Sequence, residues 1–505
     1  MQGLPIVTIE EMKRIESLAI ADGCSEEGFM DEAGAKIAAI AMDFIHKYKL
    51  PGKVTLLIGK GNKGGDAFRT GICLLKKNIA VTAFHFFNFD ACSPLCRIQG
   101  QRFLSMKGEV IFTKSVHPLI FERNSLLIDG LLGTGFQGTL EGTLLQVVQK
   151  MNTSHLPILA IDIPSGLNGS TGEVMTSSVK ATQTVYLGLP KLGFFIQQGY
   201  CHVGELIYAD FGLPQAYLGH AKAMGYLVDE TKMRDLLPPV VRNRHKYQAG
   251  YVVGIAGSKG MSGAAKLSSM ASFRAGAGIV RLFYSADMAE EMENTPIELL
   301  SQPWFLKDIS LVLEAMAKAN AIFIGPGMGR DKEAEKFLLQ LLPKIKKPIV
   351  LDADALFILA QQQEVGLPEQ CVVTPHRQEM LRLLGKKDIS KHEWQFLEQC
   401  QGYVEKKNIT LVLKGAPTFI FHPQERPIVI PKGDPGMAKA GVGDVLTGVI
   451  AALMAQGMVP YRAAVLGVYL HALAGEIAVK KKTSYGIIAS DLVDCLPNAF
   501  KQILN

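Results

Sequence analysis

The stretch Val54-Thr55-Leu56-Leu57-Ile58-Gly59-Lys60-Gly61-Asn62-Lys63-Gly64-Gly65-Asp66 decides the fold. Five β-branched or apolar residues in a row suit a strand buried on both faces, and the period then changes to a helical one that runs to Lys77. Between them lies a glycine-rich turn. The same unit recurs outward along the chain. Ala80 to Phe87 precedes a helix near Gln99 to Met106, Leu126 to Asp129 precedes a helix through Leu140 to Met151, and Ile158 to Ile163 follows. Such alternation predicts a parallel sheet covered by helices, with ligands gathered at the carboxyl ends of the strands.

The pattern loosens around Leu213 to Val241, where Pro214, Pro238 and Pro239 fall, and a second series begins at Tyr251 to Ala256. It continues through Ala321 to Ile324, Ile349 to Leu351, Val372 to Val373 and Leu411 to Leu413, and ends in an Ala- and Leu-rich helical region from Asp444. No internal repeat is evident. The expected fold class is α/β, as two different three-layer αβα domains over residues 1–220 and 225–505.

Composition narrows the function. With 505 residues, 48% hydrophobic and 20% charged, the chain is too apolar for extended disorder. Acidic residues interrupt Met1 to Gly23, so no export signal is expected, and Val445 to Val459 falls short of a membrane span. Eight scattered cysteines suit a reducing cytoplasm; Cys92 and Cys96, without a second pair, read as ordinary thiols. The net charge of +6 lies beyond residue 220 and is too diffuse for a nucleic-acid groove. The expected partners are therefore small molecules, with no nucleic acid and no membrane, in a homo-oligomeric enzyme.

Two more strand ends carry polar residues at the edge where Gly59 to Asp66 lies. They are Asp129-Gly130-Leu131-Leu132-Gly133-Thr134-Gly135 and Asp162-Ile163-Pro164-Ser165-Gly166-Leu167. A glycine-rich turn opening a helix suits a pyrophosphate, although no acidic residue follows Asp66 until Asp90 to hold a ribose. With Met30-Asp31-Glu32-Ala33-Gly34 upstream, these motifs resemble the NAD(P)H-hydrate epimerase domain. The resemblance implies a Rossmann-like sandwich that interconverts R- and S-hydrates of NADH and NADPH. The dinucleotide would be held by Asn62, Lys63, Gly64, Gly65 and Asp66 and by Gly133 to Thr139, with Gly133, Thr134 and Gly135 foremost. Asp162 would be the proton-transfer carboxylate, and Asp129 and Ser165 ligands of a potassium ion.

Lys63 departs from that family, which carries there a second Asn that also ligates potassium. An ammonium beside those oxygens either replaces the ion as a fixed cation or points into solvent beside an impaired site. The expectation is that Lys63 occupies the cation site. Ala67 replaces a usual glycine, which should leave the backbone less free.

The second series carries Gly436-Met437-Ala438-Lys439-Ala440-Gly441-Val442-Gly443-Asp444, which opens an apolar helix. Small residues there expose N–H donors suited to a phosphoryl group, and Asp444 could take a hydroxyl proton. Other polar strand ends are Lys414-Gly415-Ala416-Pro417-Thr418, Asp352-Ala353-Asp354, Thr374-Pro375-His376 with Glu379, and Gly325-Pro326-Gly327-Met328-Gly329. If the strand from Ile349 runs on through Asp354, Asp352 and Asp354 share one face and could orient magnesium; Glu379 is another candidate. The set resembles the ribokinase-like fold. With Arg244-His245-Lys246 and Gly257 to Ala264 it looks more closely like the nucleotide-dependent NAD(P)H-hydrate dehydratase family.

That resemblance implies binding of a nucleotide by Lys414, Gly415, Ala416, Pro417, Thr418 and Gly443, and of the hydrate by Ala264, Gly329 and His376. Asp444 would deprotonate the C6 hydroxyl for phosphorylation by ADP with Mg2+, giving NAD(P)H, AMP and phosphate. His376 could equally be a structural ring. Lys439, Ala440 and Val442 depart from the family's Thr, Gly and Thr, and Lys439 could compensate by adding a cation. The second reading is an ATP-dependent vitamin or sugar kinase of the ribokinase type with a non-catalytic N-terminal binding domain.

Overall fold

The computed structural model describes residues 1–136, 138–388 and 393–504. Two compact units emerge, one of Leu4–Gly225 and one of Tyr226–Asn505 joined by Met1–Gly3. The first three residues thus leave the leading domain to which the sequence reading assigned them. They open β1 (Gln2–Ile6), whose neighbour in the sheet is β9 (Gly225–Val228), and Asp229 N donates to Met1 O at 3.0 Å. Main-chain pairing with so distant a segment leaves no local signal.

The first unit holds β2 (Lys53–Ile58), β3 (Ala80–His85), β4 (Glu109–Phe112), β5 (Leu126–Gly130), β6 (Ile158–Ile161), β7 (Gln183–Leu187) and β8 (Glu205–Ala209). All pair in parallel, in the order β4-β3-β2-β5-β6-β7-β8. Every residue of β5 is buried, as continuous apolar runs in a covered sheet should be. The chain winds outward from β2 and returns on its other side at β5, so the switch point lies between those two strands. Ligands bind at such points. The register sets Leu57 beside Asp129 and Asp129 beside Ala160, which brings the ends of β2, β5 and β6 level.

The second unit adds β10 (Tyr251–Ile255), β11 (Ile279–Ser285), β12 (Leu300–Trp304), β13 (Ala321–Ile324), β14 (Ile349–Leu351), β15 (Cys371–Val373), β16 (Thr410–Leu413), β17 (Thr418–Phe421) and β18 (Ile428–Ile430). Their order is β9-β18-β17-β16-β15-β14-β13-β10-β11-β12. This sheet, unlike the first, is mixed: β16, β17 and β18 pair antiparallel. The link from Leu413 to Thr418 is too short for the crossover that a parallel neighbour needs. The switch point falls between β10 and β13. Helix Val442–Ala455 lies against β10, β13 and β14, and almost all of it is buried.

The apolar helical region expected from Asp444 onward divides in two, and Pro460–Lys481 is its second helix. By length and composition it could cross a membrane, so the expectation that no segment is long enough does not hold. Most of it is buried in the unit, where it packs on its neighbours Val442–Ala455 and Ala489–Leu504. A core helix enclosed on all sides is apolar all round for the same reason that a membrane helix is.

Candidate active sites

In the first unit a cavity of about 570 Å³ opens at the switch point, lined among others by Glu16, Asn62, Asp66, Gly133, Thr134 and Asp162. Helix Asn62–Leu75 begins there because Gly61 caps it without a side chain and Gly64 lets it dip to the strand end. A Cβ on Gly64 would lie 2.3 Å from Gly59 O. Gly65 packs against Met30, and Asn62 is tied through Glu26 and Ser93. Gly133, Thr134 and Gly135 line the same cavity; Gln137, within the predicted Gly133 to Thr139 segment, lies outside the described residues.

Lys63 turns inward. Its Nζ donates to Asp129 Oδ2 at 3.0 Å, Leu132 O at 3.0 Å, Ile163 O at 2.6 Å and Ser165 Oγ at 3.1 Å. Asp129 and Ser165 are fully buried. Burial pulls the Lys63 pKa down, and the Asp129 carboxylate opposes that pull. The solvent-pointing alternative is excluded by this geometry. A potassium ion does not fit beside the ammonium, because the same four oxygens would have to serve both.

Asp162 follows β6 in a left-handed conformation, φ +59°, which few non-glycine residues adopt and which clusters at functional sites. Its Oδ1 accepts from Leu187 N at 3.2 Å and from the Lys191 ammonium. Two further carboxyls face it. Burial raises Asp66 well above its ordinary range, helped by Asp162 and Glu16; burial also pushes Glu16 up to about 7, with Lys191 partly offsetting the shift. Sequence reasoning missed Glu16 and Lys191, and only their fold-mediated approach marks them. Ala67 costs the backbone nothing, against expectation: it sits inside the helix, and the space its methyl needs is left by Gly130, where a Cβ would come within 2.5 Å.

Cys92 and Cys96 also gain an unforeseen neighbour, His85, whose Nε2 lies 3.4 Å from Cys92 Sγ. The ring's Nδ1 accepts from Phe87 N, which leaves the proton on Nε2, and burial raises both thiols.

In the second unit the register sets Ile324 beside Leu351 and Leu351 beside Val373, so Gly325, Asp352 and Thr374 emerge at one edge, and Lys414 follows β16 there. Lys414 Nζ donates to Asp352 Oδ1 at 2.7 Å, while Thr447 Oγ1 donates to Asp352 Oδ2 at 2.7 Å. Burial acts to lower the Lys414 pKa, but Asp352 and Glu379 outweigh it and hold the ammonium above its ordinary value. Gly441, at φ +87°, caps helix Val442–Ala455, and Asp444 lies in its first turn. Burial and the Asp352 charge push Asp444 up to about 7, with Lys414 partly offsetting them.

Asp352 and Asp354 do not share a strand face. The strand stops at Leu351, Asp352 caps helix Ala353–Gln361, and Asp354 turns to Arg330 Nε at 2.5 Å and Gly329 N at 3.1 Å. That helix starts at once because Ala353 takes a left-handed turn, φ +49°. His376 is half exposed and caps helix Arg377–Leu383, its Nδ1 accepting from Gln378 N and Glu379 N. Glu379 Oε2 accepts from His376 N at 2.8 Å. Lys439, the candidate compensating cation, donates its Nζ to Tyr485 O at 2.7 Å. Thr418 closes its own turn onto Gly415 O, and Gly415 and Ala416 are exposed. Ser258 Oγ ties the β10 end to Gly327 O at 2.9 Å, and a Cβ on Gly327 would lie 3.2 Å from that of Ala264.

Comparison with known proteins covers both units. Residues 26–193 match the model of the YjeF-related protein N-terminus, and residues 252–498 that of NAD(P)H-hydrate dehydratase. The bifunctional NAD(P)H-hydrate repair enzyme of Moorella thermoacetica is 33% identical over 99% of this chain and 97% of its own. That of Vibrio cholerae is 32% identical over 99% and 98%. The chain belongs to the bifunctional NAD(P)H-hydrate repair enzyme family. Among solved structures, a ribokinase-like superfamily protein from Enterococcus faecalis V583 aligns with a TM-score of 0.50 at 28% identity, covering 55% of this chain and 95% of that one. As a family member the chain carries epimerase and dehydratase activities for hydrated NAD(P)H, and the vitamin or sugar kinase reading gives way.

Proposed function

We propose that the second unit dehydrates S-NAD(P)HX by phosphorylating it with ADP, and that the first unit supplies the S form by epimerisation at the Asp162 cavity. Hydroxide is a poor leaving group, so the hydrate oxygen must first be esterified. Asp444 takes the proton of the C6 hydroxyl, the freed oxygen attacks the β-phosphorus of ADP, and the bond to the bridging oxygen breaks to release AMP. The ring nitrogen lone pair then expels phosphate from C6. Loss of a proton from C5 restores the dihydronicotinamide.

The single observation behind this reading is the pairing of Asp444 and Lys414 at a glycine-lined helix start. A Cβ on Gly443 would lie 3.3 Å from Lys414 Nζ, so the ammonium and the helix N-terminus face the same small space. Both favour a phosphoryl group gaining charge. Lys414 to Thr418 and Gly443 would hold the nucleotide, and Ala264, Gly329 and His376 the hydrate.

Both oxygens of Asp352 and of Asp354 are committed to protein donors, so the donor set suits a magnesium ion brought in on nucleotide phosphates, with Glu379, 3.9 Å from Lys414 Nζ, a further carboxylate at that edge. Bound there, magnesium would neutralise phosphate charge. In the first unit Asp162 is the proton-transfer group, oriented by Lys191 and Leu187 N, while Asn62 to Asp66 and Gly133 to Gly135 hold the dinucleotide. Eight free thiols suit a reducing cytoplasm.

Incubating pure S-NADHX with ADP or ATP tests the proposal. The expected result is recovered NADH absorbance with AMP formed one for one in the ADP arm; a stable phosphoester instead would restore the kinase reading.

A further inference from the structure

We propose that the Lys63 ammonium is a built-in cation for the cavity of the first unit, so that this site works without potassium or any other monovalent metal ion. The inference rests on the epimerase reading of that cavity and gives its ionic requirement.

The environment of Lys63 is that of a bound ion. Its Nζ faces one carboxylate, two main-chain carbonyls and one hydroxyl, all oxygen, drawn from the ends of β5 and β6. Oxygen-only shells of this kind hold hard cations. Here the charge arrives on a side chain, so it is present in every copy and needs no ion from solution. Its formal +1 is met by Asp129, the sole carboxylate bonded to it among the described residues, which satisfies the condition for burying a charge.

The shell also has a mechanical role. Ser165 Oγ donates to Asp129 Oδ1 at 2.5 Å, Ser165 N donates to Asp129 Oδ2 at 2.8 Å, and Leu132 N donates to Ser165 Oγ at 2.9 Å. Lys63 thereby joins two turns. One leads to Gly133 and Thr134, the other follows Asp162, and all three line the cavity. Lys63 is a positioning residue: it touches neither the reacting carbon nor the proton, but it fixes the turns that do. A metal ion would need the same four oxygens, and two unit charges within about 4 Å of each other repel strongly in a protein interior. The site therefore admits the ammonium or the ion, not both.

The test uses the full chain, freed of potassium and returned to KCl, NaCl or choline chloride at equal ionic strength. Three quantities are read: R-to-S epimerisation, the unfolding midpoint of the first unit, and binding of thallium(I), a potassium mimic visible by NMR. For the parent protein all three should be the same in the three salts, with no thallium bound. Lys63→Asn supplies an oxygen in place of the ammonium. It should bind thallium, unfold later in KCl than in NaCl, and epimerise at least about tenfold faster in KCl, a difference of about 1.4 kcal/mol. Lys63→Met removes the charge without supplying oxygen, and should lose activity in every salt. Thallium binding or a potassium-specific midpoint in the parent protein overturns the inference, whether or not the variants fold. Binding and unfolding need no turnover, so a protein that ignores potassium in both but never epimerises leaves the cation assignment standing and removes the epimerase reading instead.

Discussion

At the residue scale, the ionisation of Asp444 governs both chemistry and stability. Because its carboxyl is pushed up to about 7, it is about half protonated at neutral pH before substrate binds. A base must be ionised, so dehydratase kcat/KM should climb with pH through about 7 and level off above it; a flat profile from pH 6 to 8 would count against the assignment. Asp444→Asn should cut dehydration at least about a thousandfold and leave epimerisation intact. The same substitution should stabilise the fold. The folded-state value lies above the ordinary 3.8, so ionisation costs stability as pH rises between 3.8 and about 7, and the cost is full beyond that. Melting at pH 8 should therefore show a variant more stable by about 1–4 kcal/mol. Gly443→Ala places a methyl in the space before Lys414, and should raise the KM for ADP several-fold with little change in melting temperature.

At the scale of elements, the start of helix Val442–Ala455 depends on a residue from the next helix. His471 Nε2 lies 2.9 Å from Val442 O, and burial holds its pKa down at about 4, so the neutral ring donates this bond. Below the unfolded value near 6.5, the unfolded chain binds a proton that the folded one refuses. The stability from this group is complete above about 6.5 and is lost as pH falls to about 4, by about 3 kcal/mol at most. Denaturant titrations across that range should show the loss in the parent protein and a smaller slope in His471→Gln, which cannot titrate. The dependence is invisible in sequence, because His471 sits in an unbroken apolar helix like any core residue. Strand positions were legible wherever apolar runs were continuous, as in Ala321–Ile324, which the periodicity delimits as the structure does. Edge strands such as β8 and β12, whose residues are mixed in burial, carry no such signal.

For the whole molecule, two activities on one chain predict a kinetic signature. Supplied with a mixture of R- and S-NADHX and ADP, the parent protein should convert all of it at one rate. Asp162→Ala should consume the S half quickly and the R half only at the spontaneous rate, so the recovery of NADH becomes biphasic. A single phase in that variant would show that epimerisation does not need Asp162, and a biphasic recovery in the parent protein that the first unit contributes no epimerase. Asp444→Asn should give the complementary result, equilibrated hydrates with no recovery of NADH.

By itself the sequence determined the α/β class, the two successive series of strands, and the glycine-rich ends where polar residues gather. These follow from period and from backbone freedom, which are local properties. It also singled out Asp444, Asp162 and Lys414 as candidates, because their motifs are contiguous. Tertiary structure alone decided which groups meet. Lys63 could have faced solvent until the ends of β5 and β6 surrounded it, and Asp352 and Asp354 were separated by one left-handed turn. Glu16 and Lys191 joined Asp162 from remote parts of the chain. The physical reason is that burial and charge act through space: a pKa or an ion shell depends on neighbours that the fold supplies, and no single stretch of chain contains them.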